Sequence, residues 1–170
     1  MSRSTDEHRA TARGLRADCA VLSISDTRTE ATDEGGRRIA RALEAAGHRV
    51  AERALVRDEP PEIDARLRGW LADGRVEVIV TTGGTGISLR DTTVEVVERL
   101  LDKRLEGFGE IFRMLSHREI GAAAMLSRAV AGLTGRTVLF ALPGSVAAVR
   151  LALDELIVPE LPHLLRELRR

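Results

Sequence analysis

Apolar residues along this chain follow two patterns: short runs with few polar positions, and longer segments in which they recur every three or four residues. The run at 76–81 is β-branched at nearly every position, which predicts a strand buried on both faces of a parallel sheet. Two earlier apolar runs, at 20–25 and 50–56, predict further strands. Helical spacing predicts the connecting helices over 35–46 and 60–73. This alternation is typical of right-handed βαβ units and predicts an α/β domain with a mostly parallel sheet.

The second half of the chain continues with helices and one pair of strands. The predicted elements are a helix near 92–101, a helix over 107–115, two strands within 127–142 joined around 132–135, a helix after Ser145 and a short helix that starts at Pro159. Four residues at helical spacing are expected in the core, namely Phe108, Ile111, Phe112 and Leu115. Because no repeat or linker interrupts the pattern, we predict one domain over 15–170, preceded by a polar, disordered tail at 1–14.

Composition excludes several classes of partner. The 26 basic and 26 acidic residues balance, and the aromatic residues are too few for a base-stacking platform, so we expect no nucleic acid partner. No apolar run approaches the roughly 20 residues that span a bilayer, and no signal peptide is evident, so we predict a cytoplasmic protein without a membrane partner. The single cysteine, Cys19, lies in an apolar run and is interpreted as an inert buried thiol.

The loop after the third strand carries the clearest chemical signal. Three glycines stand within four positions in Thr82-Gly83-Gly84-Thr85-Gly86, where the backbone can approach a ligand and point its N–H groups at it. The carboxyl end of a strand, followed by a helix, is where open α/β sheets bind anions. A tight turn that needs glycines only for steric reasons is the alternative. The nearby hydroxyl groups, Arg90 and Asp91 favour a phosphate site.

Two common phosphate motifs are excluded. A Walker A loop requires a lysine followed by serine or threonine, and the only lysine is Lys103. The dinucleotide fingerprint requires a small residue where Leu89 stands and an acid where Arg104 stands, and it should follow the first strand. A nicotinamide-dependent oxidoreductase is therefore disfavoured.

Two acidic residues follow strands on the same predicted edge of the sheet. Asp91 precedes a helix and could serve only as its N-cap, and turn chemistry alone could explain Asp58. Beside a phosphate site, however, a bare carboxylate is tolerable if a divalent cation lies between them. Two acids that converge on one crevice would suit Mg²⁺, so Asp58 and Asp91 are candidate Mg²⁺ ligands. The four histidines lie in polar or terminal segments and are interpreted as surface residues, namely His8, His48, His117 and His163.

Five motifs in this order resemble the MoaB/MogA family, which includes the gephyrin G domain. They are Thr82-Gly83-Gly84-Thr85-Gly86, Arg90-Asp91, Glu106-Gly107-Phe108-Gly109-Glu110, Leu126-Ser127-Arg128 and Leu142-Pro143-Gly144-Ser145, and the resemblance covers about 18–165. It implies a three-layer α/β/α fold, trimers or dimers of trimers, and a role in molybdenum cofactor biosynthesis, with contacts to other enzymes of that pathway left open. Active members of the family adenylylate molybdopterin with Mg²⁺ and ATP and release pyrophosphate.

Residue by residue, the resemblance assigns catalysis to Asp58 and Asp91. The implied substrate-binding residues are Ser25, Asp26, Thr82, Gly83, Gly84, Thr85, Gly86, Arg90, Ser127, Pro143, Gly144 and Ser145. Two departures concern groups that could bind ligand in the family: Gly35 stands where a serine is common, and no lysine follows Ser145 at 146–148. These departures favour a second reading, a module that binds molybdopterin or a nucleotide without transferring AMP. A third reading is a subunit of a larger assembly whose phosphate loop is idle.

Overall fold

The computed structural model describes residues 14–170; the predicted tail, apart from Gly14, lies outside the described residues. The strands are β1 (Asp18–Ile24), β2 (Arg49–Val56), β3 (Val78–Thr82), β4 (Lys103–Arg104), β5 (Val130–Thr134) and β6 (Thr137–Leu142). The α-helices are α1 (Glu34–Ala45), α2 (Pro60–Asp73), α3 (Thr93–Leu100), α4 (Glu106–Ile120), α5 (Val146–Ala152) and α6 (Val158–Leu168). A 3-10 helix, Gly121–Leu126, follows α4.

One sheet with the strand order β2-β1-β3-β6-β5-β4 forms the centre of the molecule. β2, β1, β3 and β6 are parallel, whereas β5 and β4 run antiparallel to their neighbours. Val80 of the central strand β3 lies between Val21 of β1 and Phe140 of β6. The predicted α/β class with a mostly parallel sheet is confirmed.

Alternate residues of the strands pack against helices on opposite faces of the sheet. Cys19 and Val21 of β1 belong to a core shared with α1, α4, α5 and α6. Ala20 and Leu22 belong to a second core shared with α2 and α3. Because successive side chains of a strand point to opposite faces, the near-continuous apolar strands require helices on both sides. This arrangement is the expected three-layer α/β/α fold.

Two details of the second half differ from the predictions. Ile111 is 44% exposed, so its assignment to the core is wrong, while Phe112 is buried and Phe108 packs edge-on against Phe140. The turn between β5 and β6 is Gly135-Arg136, and Gly132 lies within β5. Gly135 takes a positive φ of 55°, which the first position of a tight hairpin favours.

The last two predicted helices form one continuous helical segment. A π-helical stretch, Leu153–Ile157, joins α5 to α6, and Pro159 is the second residue of α6. Proline has no backbone N–H, and its ring clashes with the carbonyl group four residues earlier in an α-helix. The wider π turn accommodates that ring, so Pro159 does not end the helix.

His48 and Cys19 are both buried. His48 is 6% exposed, so its assignment to the surface is wrong, and burial lowers the pKa of its imidazole. His163 is half-buried beside Glu160, His117 is exposed, and His8 lies outside the described residues. Burial raises the pKa of the Cys19 thiol to about 12, which fits an inert thiol. Within 14–170, none of the helices has the length and apolar character needed to cross a membrane.

Candidate active site

Four loops meet where the parallel strands end, and they enclose a cavity of about 500 Å³. The loops follow β1, β2, β3 and β6, so they come from distant parts of the sequence. The predicted site residues that line the cavity are Ser25, Asp26, Asp58, Gly83, Gly84, Thr85, Gly86, Asp91, Ser127, Pro143, Gly144 and Ser145. Thr82 and Arg90 do not line it. The location is the usual ligand crevice of an open α/β sheet.

The glycine loop after β3 forms one wall of this cavity. Gly83 and Gly84 have positive φ values of 106° and 61°, which glycine adopts without strain. A Cβ atom on Gly83 would overlap the carbonyl oxygen of Ile24, and one on Gly84 would overlap the hydroxyl of Thr93. The loop therefore packs tightly against protein on one side and faces the cavity on the other.

The amides of this loop differ in what they bind. The N–H of Gly83 donates to the carbonyl of Leu142 at 3.1 Å and is already occupied. The N–H groups of Gly84, Thr85 and Gly86 have no acceptor among residues 14–170. Neighbouring backbone N–H groups at such a turn form an anion-binding concavity.

The two predicted acids lie against this loop. The Asp58 carboxylate is 2.8 Å from the position of a Cβ atom on Gly84, and Asp91 Oδ2 is 2.6 Å from that on Gly86. Asp91 Oδ2 also accepts a hydrogen bond from the N–H of Ser88 at 2.9 Å, and the N-cap of α3 is Thr92. The structure therefore does not support the alternative in which Asp91 merely caps the helix.

Asp58 has an unusual electrostatic environment. Its Oδ1 atom is buried and has no hydrogen-bond partner. Burial raises the pKa of its carboxyl group, the backbone N–H of Thr92 acts in the opposite direction, and the charges of Asp91 and Asp26 raise it further. A cation between these carboxylates would offset both the cost of burying the charge of Asp58 and the repulsion between the carboxylates.

These residues fit the Mg²⁺ that the resemblance implies. Asp58 and Asp91 supply carboxylate oxygens, the ligands that Mg²⁺ prefers. The Oδ1 atom of Asp58 has no hydrogen-bond partner and is available to coordinate a metal ion. No group of three or more potential metal-ligating side chains occurs in the described part of the chain. Mg²⁺ commonly binds through one or two carboxylates together with water and substrate phosphates, so two acids suffice.

Arg90 braces the rim of the cavity. Its guanidinium donates to Asp26 Oδ2 at 3.1 and 2.9 Å and to Glu59 Oε1 at 2.9 Å. Asp26 Oδ1 in turn accepts a hydrogen bond from the N–H of Asp58 at 3.2 Å. Arg90 therefore ties together the loops after β1, β2 and β3, and its charge is neutralised by two carboxylates.

Arg128 holds the glycine loop from the opposite end. It donates to the carbonyl of Thr85 at 3.2 Å and to that of Asp91 at 2.8 Å. It also forms a bidentate ion pair with Glu95 of α3. The Leu126-Ser127-Arg128 motif thus fixes both ends of the segment between Thr85 and Asp91.

The remaining predicted residues support the loops or face the cavity. Thr82 is buried, and its hydroxyl donates to the carbonyl of Pro143 at 3.1 Å. Ser25 accepts hydrogen bonds from the N–H groups of Thr27 and Arg28. Ser145 accepts one from Ala148 and thereby caps α5. Ser127 lines the cavity, and its hydroxyl is buried without a partner.

Sequence reasoning missed an apolar wall and a basic residue. The wall comprises Phe112, Ile120, Ala123, Leu126 and Ala148, which come from α4, the 3-10 helix and α5. In the sequence, the helical spacing of Phe112 indicated that this residue belongs to the core, and it did not indicate a cavity nearby. Arg28 also lines the cavity, and its position two residues after the Ser25-Asp26 pair was the available signal. The cavity therefore offers a polar, charged side and an apolar side.

Comparison with known proteins identifies relatives over nearly the whole described chain. Residues 20–163 match the family described as "Probable molybdopterin binding domain". The chain is 49% identical over 153 residues to molybdenum cofactor biosynthesis protein B of Bacillus cereus, which covers 89% of this chain and 90% of the relative.

Solved structures show the same likeness. A crystal structure of molybdenum cofactor biosynthesis protein B has a TM-score of 0.89 and 48% identity, and the match covers 92% of this chain and 98% of that one. The tungsten cofactor synthesizing protein MoaB from Pyrococcus furiosus has a TM-score of 0.82 and 38% identity, with 91% and 98% covered.

Proposed function

The chain belongs to the MoaB/MogA family of molybdenum cofactor biosynthesis proteins, and we propose that it binds molybdopterin and adenylylates it with Mg²⁺ and ATP. The observation that carries the proposal is the juxtaposition of unoccupied loop amides with two carboxylates in one cavity. Amides suit a phosphate, and carboxylates suit the cation that accompanies a polyphosphate. The apolar wall, whose exposed members include Ile120 and Leu126, suits a flat pterin ring.

The proposed reaction needs no general base. A phosphate monoester has a second pKa of about 6, so the terminal phosphate of molybdopterin is largely ionised at neutral pH. One of its oxygens forms a bond to the α-phosphorus of ATP, the bond from that phosphorus to the bridging oxygen breaks, and pyrophosphate leaves. His48 and Cys19 are buried in other parts of the fold and do not line the cavity.

The residues of the cavity contribute position and charge. The N–H groups of Gly84 to Gly86 bind and orient a phosphate. The hydrogen bonds of Arg90 and Arg128 hold the loops that carry these groups in place. Asp58 and Asp91 would hold Mg²⁺, which neutralises phosphate charge when it is bound. The apolar wall excludes water from one side of the bound pterin.

The test is to mix the protein with molybdopterin, ATP and Mg²⁺ and to measure adenylylated molybdopterin and pyrophosphate. The proposal predicts equal amounts of both products, and neither product without the protein. Asp91→Asn should lower turnover at ordinary Mg²⁺ concentration by about tenfold or more, with partial recovery at high Mg²⁺. Full activity of Asp91→Asn at ordinary Mg²⁺ would refute the metal-binding role.

A binding module without transfer is the second candidate. The cavity has no lysine, and Gly35 offers no hydroxyl, although a Cβ atom there would meet the Thr82 side chain only at an ordinary 3.5 Å. Tight binding of molybdopterin or ATP without pyrophosphate release would favour this candidate. The paired acids favour catalysis, because binding alone has no need of a repulsive carboxylate pair.

We also propose that the chain forms a homo-oligomer, a trimer or a dimer of trimers. Apart from the residues that line the cavity, α4 and the 3-10 helix expose three large apolar side chains, Ile111, Met114 and Met125. Contiguous exposed apolar surface on a protein is typical of an interface. Sedimentation of the purified chain measures the assembly directly.

A further inference from the structure

Arg28 enters the cavity in a fixed orientation. Its backbone N–H donates to Ser25 Oγ at 3.1 Å, and one terminal nitrogen of its guanidinium donates to the carbonyl of Gly144 at 2.8 Å. Its other terminal nitrogen is 3.9 Å from the position of a Cβ atom on Gly35 and on Gly144. Glycines on two sides therefore leave the guanidinium uncovered toward the cavity.

The charge of Arg28 is not neutralised by any carboxylate in the described part of the chain. No carboxylate of residues 14–170 pairs with its guanidinium, and the carbonyl of Gly144 accounts for one of its five N–H donors. The two other arginines near the site differ, because Arg90 pairs with Asp26 and Glu59 and Arg128 pairs with Glu95. Among the described residues that line the cavity, Arg28 is the one cation.

Two of the three acids that line the cavity, Asp58 and Asp91, lie apart from this cation. Gly144, which holds Arg28, lies beside Gly83, whereas the carboxylates of Asp58 and Asp91 lie beside Gly84 and Gly86. One part of the glycine loop therefore faces a cation and the next part faces two acids. A phosphate group bound by the N–H groups of Gly84 to Gly86 would therefore have Arg28 on one side and the proposed metal ligands Asp58 and Asp91 on the other.

Resting on the proposed function, we infer that Arg28 is the residue that recognises a phosphate group of the ligand by charge. The group comes either from the phosphorylated pterin or from ATP. The guanidinium has donors for two oxygens of one phosphate, which a lysine cannot match. This assignment also explains how the cavity binds a polyanion although no lysine follows Ser145.

The test measures binding by calorimetry for the full chain and three variants, Arg28→Gln, Arg28→Lys and Arg37→Gln. The matched control is Arg37, whose guanidinium likewise donates to carbonyl groups, those of Glu30 and Ala31, but does not line the cavity. Three probes are titrated separately: molybdopterin, ATP with Mg²⁺, and inorganic pyrophosphate without Mg²⁺. Arg28→Met replaces Arg28→Gln if circular dichroism shows that the latter does not fold.

Arg28→Gln is expected to weaken pyrophosphate binding by about tenfold or more, the size of a lost charge-assisted hydrogen bond. Arg28→Lys should recover part of the loss, and Arg37→Gln should bind as the unchanged protein does. Whichever of molybdopterin and ATP shows the same loss is the source of the phosphate. Wild-type affinity of Arg28→Gln for all three probes, or equal losses in Arg28→Gln and Arg37→Gln, would overturn the inference.

The proposed function can fail separately. If the unchanged protein binds pyrophosphate but neither molybdopterin nor ATP, the proposed function is wrong. In that case a loss of pyrophosphate binding in Arg28→Gln still supports the role of Arg28. If the unchanged protein binds none of the three probes, both the proposed function and the inferred role of Arg28 are wrong.

Discussion

Arg90 and Asp26 form a bridge between two loops, in which one carboxylate oxygen of Asp26 accepts hydrogen bonds from two guanidinium nitrogens of Arg90 at 3.1 and 2.9 Å. The other carboxylate oxygen accepts the N–H of Asp58 at 3.2 Å. The N–H of Asp58 and the side chain of Arg90 lower the pKa of the Asp26 carboxyl. Asp58, a proposed metal ligand, therefore depends on Asp26, which in turn is held by Arg90.

Arg90→Gln and Asp26→Asn should each lower kcat/KM by roughly tenfold, because a displacement of about 1 Å in a positioned group costs up to about 10²-fold. The pair is exposed, so the loss of stability should be small. Since both substitutions break the same bridge, the kcat/KM of the double variant should be no lower than that of the less active single variant. Steady-state kinetics of the three variants measures this, and multiplied losses would contradict the bridge.

Gly83→Ala and Gly47→Ala test whether the glycine loop is fixed by packing. Both positions have a positive φ, of 106° and 91°, but a Cβ atom on Gly47 meets nothing within 4 Å. Gly47→Ala should therefore lower the free energy of unfolding by about 1–2 kcal/mol, the strain of a left-handed alanine. Gly83→Ala adds a clash with the Ile24 carbonyl, so it should lower the free energy of unfolding clearly more than Gly47→Ala does. Urea denaturation of both variants measures this difference. Equal losses would show that the loop can move away.

Asp58→Asn should stabilise the protein at pH 7 while it abolishes Mg²⁺-dependent turnover. The pKa of Asp58 is raised in the folded state, so its favourable contribution is present below the unfolded pKa and is lost as pH rises through the folded pKa. The ionised carboxylate therefore destabilises the fold at neutral pH, and an amide does not.

Thermal unfolding between pH 3 and 8 measures this effect. The gain in Tm of Asp58→Asn over the unchanged protein should be greatest near pH 7 and should vanish below about pH 4, where both forms are neutral. Asp64→Asn is the control, since Asp64 forms an exposed ion pair with Arg68 on α2 and should show no gain. A Tm of Asp58→Asn below that of the unchanged protein at pH 7 would contradict the assignment.

Met114→Glu and Met125→Glu should weaken the oligomer. Both methionines are more than half exposed, at 51% and 78%, and a charge buried at an interface is costly. Analytical ultracentrifugation should show a trimer or a hexamer for the unchanged chain and smaller species for these variants. The exposed Ala45 at the end of α1 provides the control Ala45→Glu, which should sediment as the unchanged chain does.

The fold was largely predictable, because its signals are local. β-branched runs and helical spacing predict the layers, and parallel strands that end together bring Asp58 to the glycine loop. Ile111 shows where this reasoning stops, since its spacing matches that of Phe112 yet it faces outward. Which apolar face of a helix is covered depends on neighbours that the periodicity of one helix does not contain.

The candidate site was predictable in its position but not in the roles of its charged residues. Arg90 and Arg28 look equivalent in the sequence, as arginines in loops that follow strands. Their difference lies in partners that are distant along the chain, Asp26 and Glu59 for Arg90 and the carbonyl of Gly144 for Arg28. The tertiary structure determines which ion-pair partner an arginine has. Motif spacing alone therefore cannot distinguish an arginine that holds loops together from one that binds a ligand.

A crystal structure of the chain grown with molybdopterin would show whether the cavity over Gly83–Gly86 receives a phosphorylated pterin. The terminal phosphate is expected within about 3 Å of the N–H groups of Gly84 to Gly86, with the pterin ring against Ile120 and Leu126 of the apolar wall. Molybdopterin bound at another surface, with this cavity holding only solvent, would contradict this expectation.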